Sequence, residues 1–232
     1  MTPNTLGSFT AGAPAPAVPE LAITVADASA EPHAAVPTLR FTLNIDTRTL
    51  VPIRAATLVA QLRIAAARRP YDREEQVRLG EVFGAPEQWR SSLRSLYWTH
   101  ATMVLPPFET RTTAALLVPC TYDFDVVTAK YLHGVQSGDV PLDFLFSGSV
   151  FYADDEGMLK TARLSWELEA AYRLPLQVWK GMMDAYFPDS AWLRVRREAF
   201  DRLYAFKMEH GLATWEQAID ALLSSSTRKS RA

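Results

Sequence analysis

Ala162-Arg163-Leu164-Ser165-Trp166-Glu167-Leu168-Glu169-Ala170-Ala171-Tyr172-Arg173-Leu174-Pro175 runs directly into Leu176-Gln177-Val178-Trp179-Lys180-Gly181-Met182-Met183. In the first part apolar residues take every second position. Ala162, Leu164, Trp166, Leu168, Ala170 and Tyr172 share one face, and Arg163, Ser165, Glu167 and Glu169 share the other. In the second part Val178, Trp179, Met182 and Met183 recur at helical spacing. A strand sends alternate side chains to opposite faces, whereas a helix repeats every ~3.6 residues. The period therefore changes near Leu174. A β-sheet body precedes that point and a helical block follows it.

Upstream, alternation dominates. Leu39, Phe41, Leu43 and Ile45 alternate with Arg40, Thr42, Asn44 and Asp46, which is the pattern of a half-buried strand. Leu21, Ile23 and Val25 form an earlier strand. Ala56, Leu58, Ala60, Leu62 and Ile64 form a later one, after the turn at Pro52. Asp72-Arg73-Glu74-Glu75 has the spacing of a capping box and opens a helical insertion over 72–95. Leu96 to Val104 is extended again. Thr110 to Val118 is the next strand. A helix is expected over 123–135, with Asp123 as its N-cap. Leu142 to Tyr152 and the quoted stretch form a hairpin around Asp154-Asp155-Glu156-Gly157.

These runs amount to about seven strands, the number of an immunoglobulin-like sandwich without its paired cysteines. No helices alternate regularly with the strands, which disfavours a doubly wound sheet. The expected fold class is α+β: an immunoglobulin-like antiparallel β-sandwich with helical insertions and a C-terminal helical appendage.

The expected organisation has four parts. Residues 1–19 are a disordered Pro/Ala-rich leader, because Pro removes donors and the segment has little to bury. Residues 20–174 are the sandwich. Residues 175–223 are a helical region docked on it. Residues 224–232 are a disordered basic tail. Within the helical region, Trp192, Val195, Ala199, Leu203 and Phe206 lie three or four apart. Gly211 ends that helix, and Thr214-Trp215-Glu216-Gln217 is a capping box for the last one.

Composition excludes more chemistry than it suggests. The net charge of −2 advertises no nucleic acid. No run approaches the ~18 apolar residues of a membrane helix, and the N-terminus reads as no signal peptide. Cys120 is the single cysteine, so no internal disulfide forms; a reducing cytoplasm is the expected location. His33, His100, His133 and His210 have no metal-ligand spacing, and no metal or cofactor is expected. There is no phosphate-cradling glycine motif and no nucleophile elbow.

Asp123/Asp125 and Asp154/Asp155/Glu156 read as capping and turn carboxylates. Cys120 is the weak catalytic candidate, since a following helix N-terminus lowers a thiol pKa; the alternative is a small buried hydrophobe. The aromatic helical block offers both a docking core and a contact surface. Trp179, Tyr186, Phe187, Trp192, Arg196, Tyr204 and Trp215 are its candidate partner-binding residues, being of the types enriched at interface hot spots.

Two resemblances bear on these residues. Leu39 to Thr47 followed by Val51-Pro52-Ile53 resembles the opening of water-stress/late-embryogenesis-abundant type β-sandwich domains, although the insertion at 72–95 is foreign to them. More broadly, Val51-Pro52-Ile53-Arg54-Ala55-Ala56, Trp98-Thr99-His100, Pro119-Cys120-Thr121-Tyr122-Asp123-Phe124 and Tyr186-Phe187-Pro188 through Trp192-Leu193 resemble an uncharacterised, mainly actinobacterial family. Its members are often encoded near nickel–iron hydrogenase genes.

That second resemblance implies context and no catalytic residue. The function expected is a non-enzymatic accessory or protein-interaction protein, with a hydrogenase subunit or assembly factor as partner. An enzyme or redox-responsive protein using Cys120 is the alternative, and a homodimer through the aromatic helices stays open.

Overall fold

The structure is a computed structural model that describes residues 18–49, 51–121, 123, 126–154, 156–190 and 195–229; for 226–229 it describes the backbone alone. Among the described residues, eight strands form two antiparallel sheets. β1 (Leu21–Ala30), β2 (Thr38–Thr47) and β5 (Arg111–Pro119) make a three-stranded sheet with β2 central. β3 (Ile53–Ile64), β4 (Leu96–Leu105), β6 (Asp139–Ala153), β7 (Leu159–Arg163) and β8 (Glu169–Pro175) make the second. In it β3 lies between β4 and β6, and β7 and β8 both pair with the far edge of β6. The fold is the α+β antiparallel arrangement that the alternating periods point to.

The two inner faces meet through the residues that the alternation selects. Leu39, Phe41, Leu43 and Ile45 of β2 are completely buried, as are Ala56, Leu58, Ala60, Leu62 and Ile64 of β3. Val140, Leu142, Phe144 and Val150 of β6 complete that layer. Phe41 meets Phe144 edge-on across the sheets at 5.1 Å between ring centroids. Each of the larger side chains (Val, Leu, Ile and Phe) stabilises the fold by about 1.5–3 kcal/mol through burial.

The expected seven strands become eight because the return strand is broken. Leu164 N–H donates to Gly148 O, and Phe146 N–H donates to Leu168 O. Between these two bonds Glu167 N–H donates to Ser165 Oγ at 3.2 Å. Leu164 and Leu168 pack inward while Ser165 to Glu167 loop outward. Trp166, assigned to the inner face by its period, is 86% exposed at the apex of this turn. A Ser side chain that satisfies a nearby backbone N–H competes with the ladder, and alternation alone does not register it.

The insertion consists of α1 (Arg73–Arg78), α2 (Gly80–Phe83) and α3 (Trp89–Ser92), with a 3₁₀ turn at Pro86–Gln88. Asp72 Oδ1 accepts from Glu75 N–H at 2.8 Å, the first half of the expected capping box. Gly84 closes α2 with φ +79°. The next helix, α4 (Val127–Gly134), starts later than expected. Val126 occupies its N-cap with no side-chain cap, so Asp123 does not cap it.

Leu174-Pro175 joins β8 to α5 (Leu176–Tyr186) without a loop. Leu176, Trp179, Met182 and Met183 of α5 are buried against the sheets. The chain divides into two compact units, residues 1–122 with 126–190, and residues 123–125 with 191–232. α5 thus belongs to the unit of the sheets. The second unit holds α6 (Arg197–Glu209) and α7 (Trp215–Lys229).

The tail expected from residue 224 continues as α7 to Lys229. No breaker interrupts it, and Ser225 Oγ bonds back to Leu222 O at 2.7 Å, as helical serines do. The leader lies outside the described residues up to position 17, and so do Trp192, Tyr122, Phe124, Asp125 and Asp155.

One backbone contact sets the spacing of β3 and β6. Gly148 faces Leu58 with φ +146°, and a Cβ there would stand 1.9 Å from Thr57 O. Gly148→Ala is expected to lower stability by at least about 3 kcal/mol, since strain adds to the clash. For a unit of this size that is a loss of roughly 6–12 °C in Tm, measurable by thermal unfolding.

Candidate functional site

α6 and α7 form a hairpin whose ends are fixed by local hydrogen bonds. Gly211 adopts φ +61° after α6. Gly211 N–H donates to Met208 O, and Leu212 N–H donates to Lys207 O at 3.0 Å. This is a Schellman ending, which glycine's freedom at positive φ permits. Thr214 Oγ1 then accepts from Gln217 N–H at 3.2 Å, and Gln217 Oε1 accepts from Thr214 N–H at 3.4 Å and from Ala213 N–H at 2.8 Å. The capping box expected at 214–217 is present.

Between the helices lies an aromatic cluster. Phe200 and Tyr204 stand 5.3 Å and 6.1 Å from Trp215, measured between ring centroids. Lys207 Nζ lies 5.6 Å from the Trp215 ring, a cation–π distance. These rings are open to solvent: Tyr204 is 49% exposed and Trp215 36%. Ile219, Leu222 and Leu223 continue the apolar surface along α7, with Leu223 60% exposed. Among the described side chains of α6 and α7, Ala218 is the one that is fully buried. Contiguous exposed apolar surface of this kind marks contact sites.

The other candidate residues fall elsewhere. Trp179 is buried, with its ring edge-on to His133 at 4.9 Å, so it is a core residue and no contact surface. Tyr186 is half-buried, and its hydroxyl donates to Ala34 O at 2.5 Å. Phe187 is half-buried against the same core. Arg196 is exposed just before α6. The structure therefore brings Tyr204 and Trp215 together, with Phe200 beside both.

Cys120 is buried at the end of β5, and its thiol points to Val118 O at 3.5 Å. Burial pushes the thiol up to about 12. A cleft of about 230 Å³ beside it is lined by Trp98, Thr99, Pro119, Thr121, Val126 and Thr128, none of them a base. A larger apolar cleft of about 480 Å³ runs between α5 and the end of β1, over Gly181, Ala185 and Ala30. Among the described residues no three His, Cys, Asp or Glu side chains gather to hold a metal, and no helix is long and apolar enough to cross a membrane.

A buried polar network lies beneath the insertion, and local sequence patterns do not reveal it. Arg69 donates to Glu75 Oε1 and to Ser137 O, each at 2.9 Å, and stacks over the Tyr71 ring at 5.1 Å. Gln136 N–H donates to the same Glu75 oxygen at 2.8 Å. The Tyr71 and Tyr131 hydroxyls are 2.8 Å apart. Burial raises both phenols and lowers His133, with Lys180 adding to the latter. Glu75, expected to complete a capping box, instead pins α1 to the turn after α4. Arg69 is six residues from Glu75, but Ser137, Gln136 and Tyr131 each bond across 60 or more residues, so local spacing gives no sign of the network.

A family of unknown function, DUF6084, matches residues 18–231. The chain belongs to this family. No curated protein resembles the chain. Among solved structures, the CARDB domain of the PF1109 protein from Pyrococcus furiosus, in complex with di-metal ions, is 8% identical with a TM-score of 0.27. The match covers 68% of this chain and 92% of that one. β-Glucosidase 3B from Thermotoga neapolitana is 14% identical with a TM-score of 0.26, over 67% of this chain and 17% of that one. At such TM-scores neither likeness bears on a metal or a sugar for this family member.

Removing one partner of a buried ion pair leaves the other uncompensated. Glu75→Ala is therefore expected to cost about 3–5 kcal/mol in urea unfolding, while Arg69→Met with Glu75→Leu recovers most of that loss.

Proposed function

We propose that the chain is a non-enzymatic accessory protein that acts in a reducing cytoplasm by binding another protein through α6 and α7. The supporting observation is the exposed aromatic and aliphatic surface from Phe200 to Leu223, on helices whose ends are fixed by their own caps. Trp and Tyr in such a surface are the side chains that carry interface energy. The partner put forward is a hydrogenase subunit or assembly factor, as the resemblance of the flanking motifs suggests. The segment Leu39–Thr47, which resembles water-stress domains, is the buried β2 and adds scaffold to this role.

The test is co-purification of the tagged full chain from its native host. Hydrogenase subunits or assembly factors are expected with the unmodified chain. Tyr204→Ser with Trp215→Ser is expected to reduce their recovery at least about tenfold, the scale of hot-spot truncation. Recovery of the chain without them, or recovery that the substitutions leave unchanged, would sink the proposal.

The alternative through Cys120 makes an opposite demand, since a nucleophilic thiol is held low and accessible. Labelling of the folded chain with a thiol reagent is expected to be slow at neutral pH. Its rate is expected to keep rising with pH, without a plateau below about pH 10, because the thiolate fraction is still growing there. A fast reaction that levels off near neutrality would restore Cys120 as a reactive group.

A further inference from the structure

We infer that, when no heterologous partner occupies it, the α6–α7 surface is closed by a second copy of this chain, the two hairpins forming a four-helix bundle; this rests on α6 and α7 being a contact surface. Two helices of 13 and 15 residues, among whose described side chains Ala218 is the one fully buried, do not hold together unaided in water. The caps fix their ends, but something must cover their faces.

The area fits a symmetric pair. Phe200, Tyr204, Trp215, Ile219, Leu222 and Leu223 are each 36 to 60% exposed. Together they leave on the order of 500 Å² of mostly apolar surface per copy. Two copies bring roughly 1,000 Å² from these side chains alone, which reaches the size of a specific interface before the polar rim is counted. A two-fold pair is also the commonest closed assembly, since one patch then serves as both donor and receiver.

Sedimentation equilibrium of the full chain tests this. A dimer is expected at micromolar concentration, and Leu222→Arg is expected to weaken it at least tenfold, with helicity by circular dichroism falling only over the concentrations at which the variant dissociates. A chain that stays monomeric up to about 200 µM, or a dimer that Leu222→Arg leaves unchanged, overturns the inference.

The two proposals fail separately. A monomer that still captures a hydrogenase subunit through Tyr204 and Trp215 removes the dimer and keeps the contact surface. A dimer that captures nothing removes the heterologous partner.

Discussion

The close approach of β6 to β3 governs the larger sheet. β6 is 15 residues long and carries three partners, β3 along one edge and β7 and β8 in succession along the other. At Gly148 the strand comes so near Thr57 O that no side chain fits. This tight point lies where the far edge changes partner: Ser149 is the last residue paired with β7, and Leu145 the first paired with β8. The outward turn at Ser165 to Glu167 bridges that gap. The break between β7 and β8, and with it the exposure of Trp166, lies opposite this tight point, where the Ser165 side chain takes the Glu167 N–H in place of a ladder bond.

Legibility in the sequence tracks the range of the interaction that decides each feature. Leu39 to Ile45 declare their burial by alternation, because a strand packed on one face leaves that mark in consecutive residues. The 214–217 capping box and the glycine at 211 were readable for the same reason. Glu75 was half readable: Asp72 caps α1 locally, but Arg69 and the Gln136 amide decide where the carboxylate goes. The Gln136 bond spans 61 residues, and no window of spacing contains it. Trp166 was misplaced because period-two counting assumes an unbroken ladder. Among the contact candidates, residue type alone could not separate Trp179 from Trp215. Both are helical tryptophans, and only the packed sheets beneath α5 distinguish them.

The two compact units are stabilised by different physics. In the sheets, order comes from burial: β2, β3 and β6 give up nearly all their inner side chains to one core, and the Arg69–Glu75 network ties the insertion to α4. Substitutions there act on stability first. In the α6–α7 hairpin, order at the ends comes from directional hydrogen bonds at Gly211, Thr214 and Gln217, which ask little of the apolar side chains.

That division explains how one chain can keep a firm core and still expose Phe200, Tyr204 and Trp215. A hairpin held mainly by burial could not leave its largest rings half in water without losing its shape. A hairpin whose ends are capped can present them already arranged, so less conformational freedom is lost when a second surface arrives. Caps alone do not stabilise two short helices, however. An occupant that covers Trp215, as proposed, would stabilise the hairpin by mass action, and folding of the helices and occupation of their surface would then be coupled.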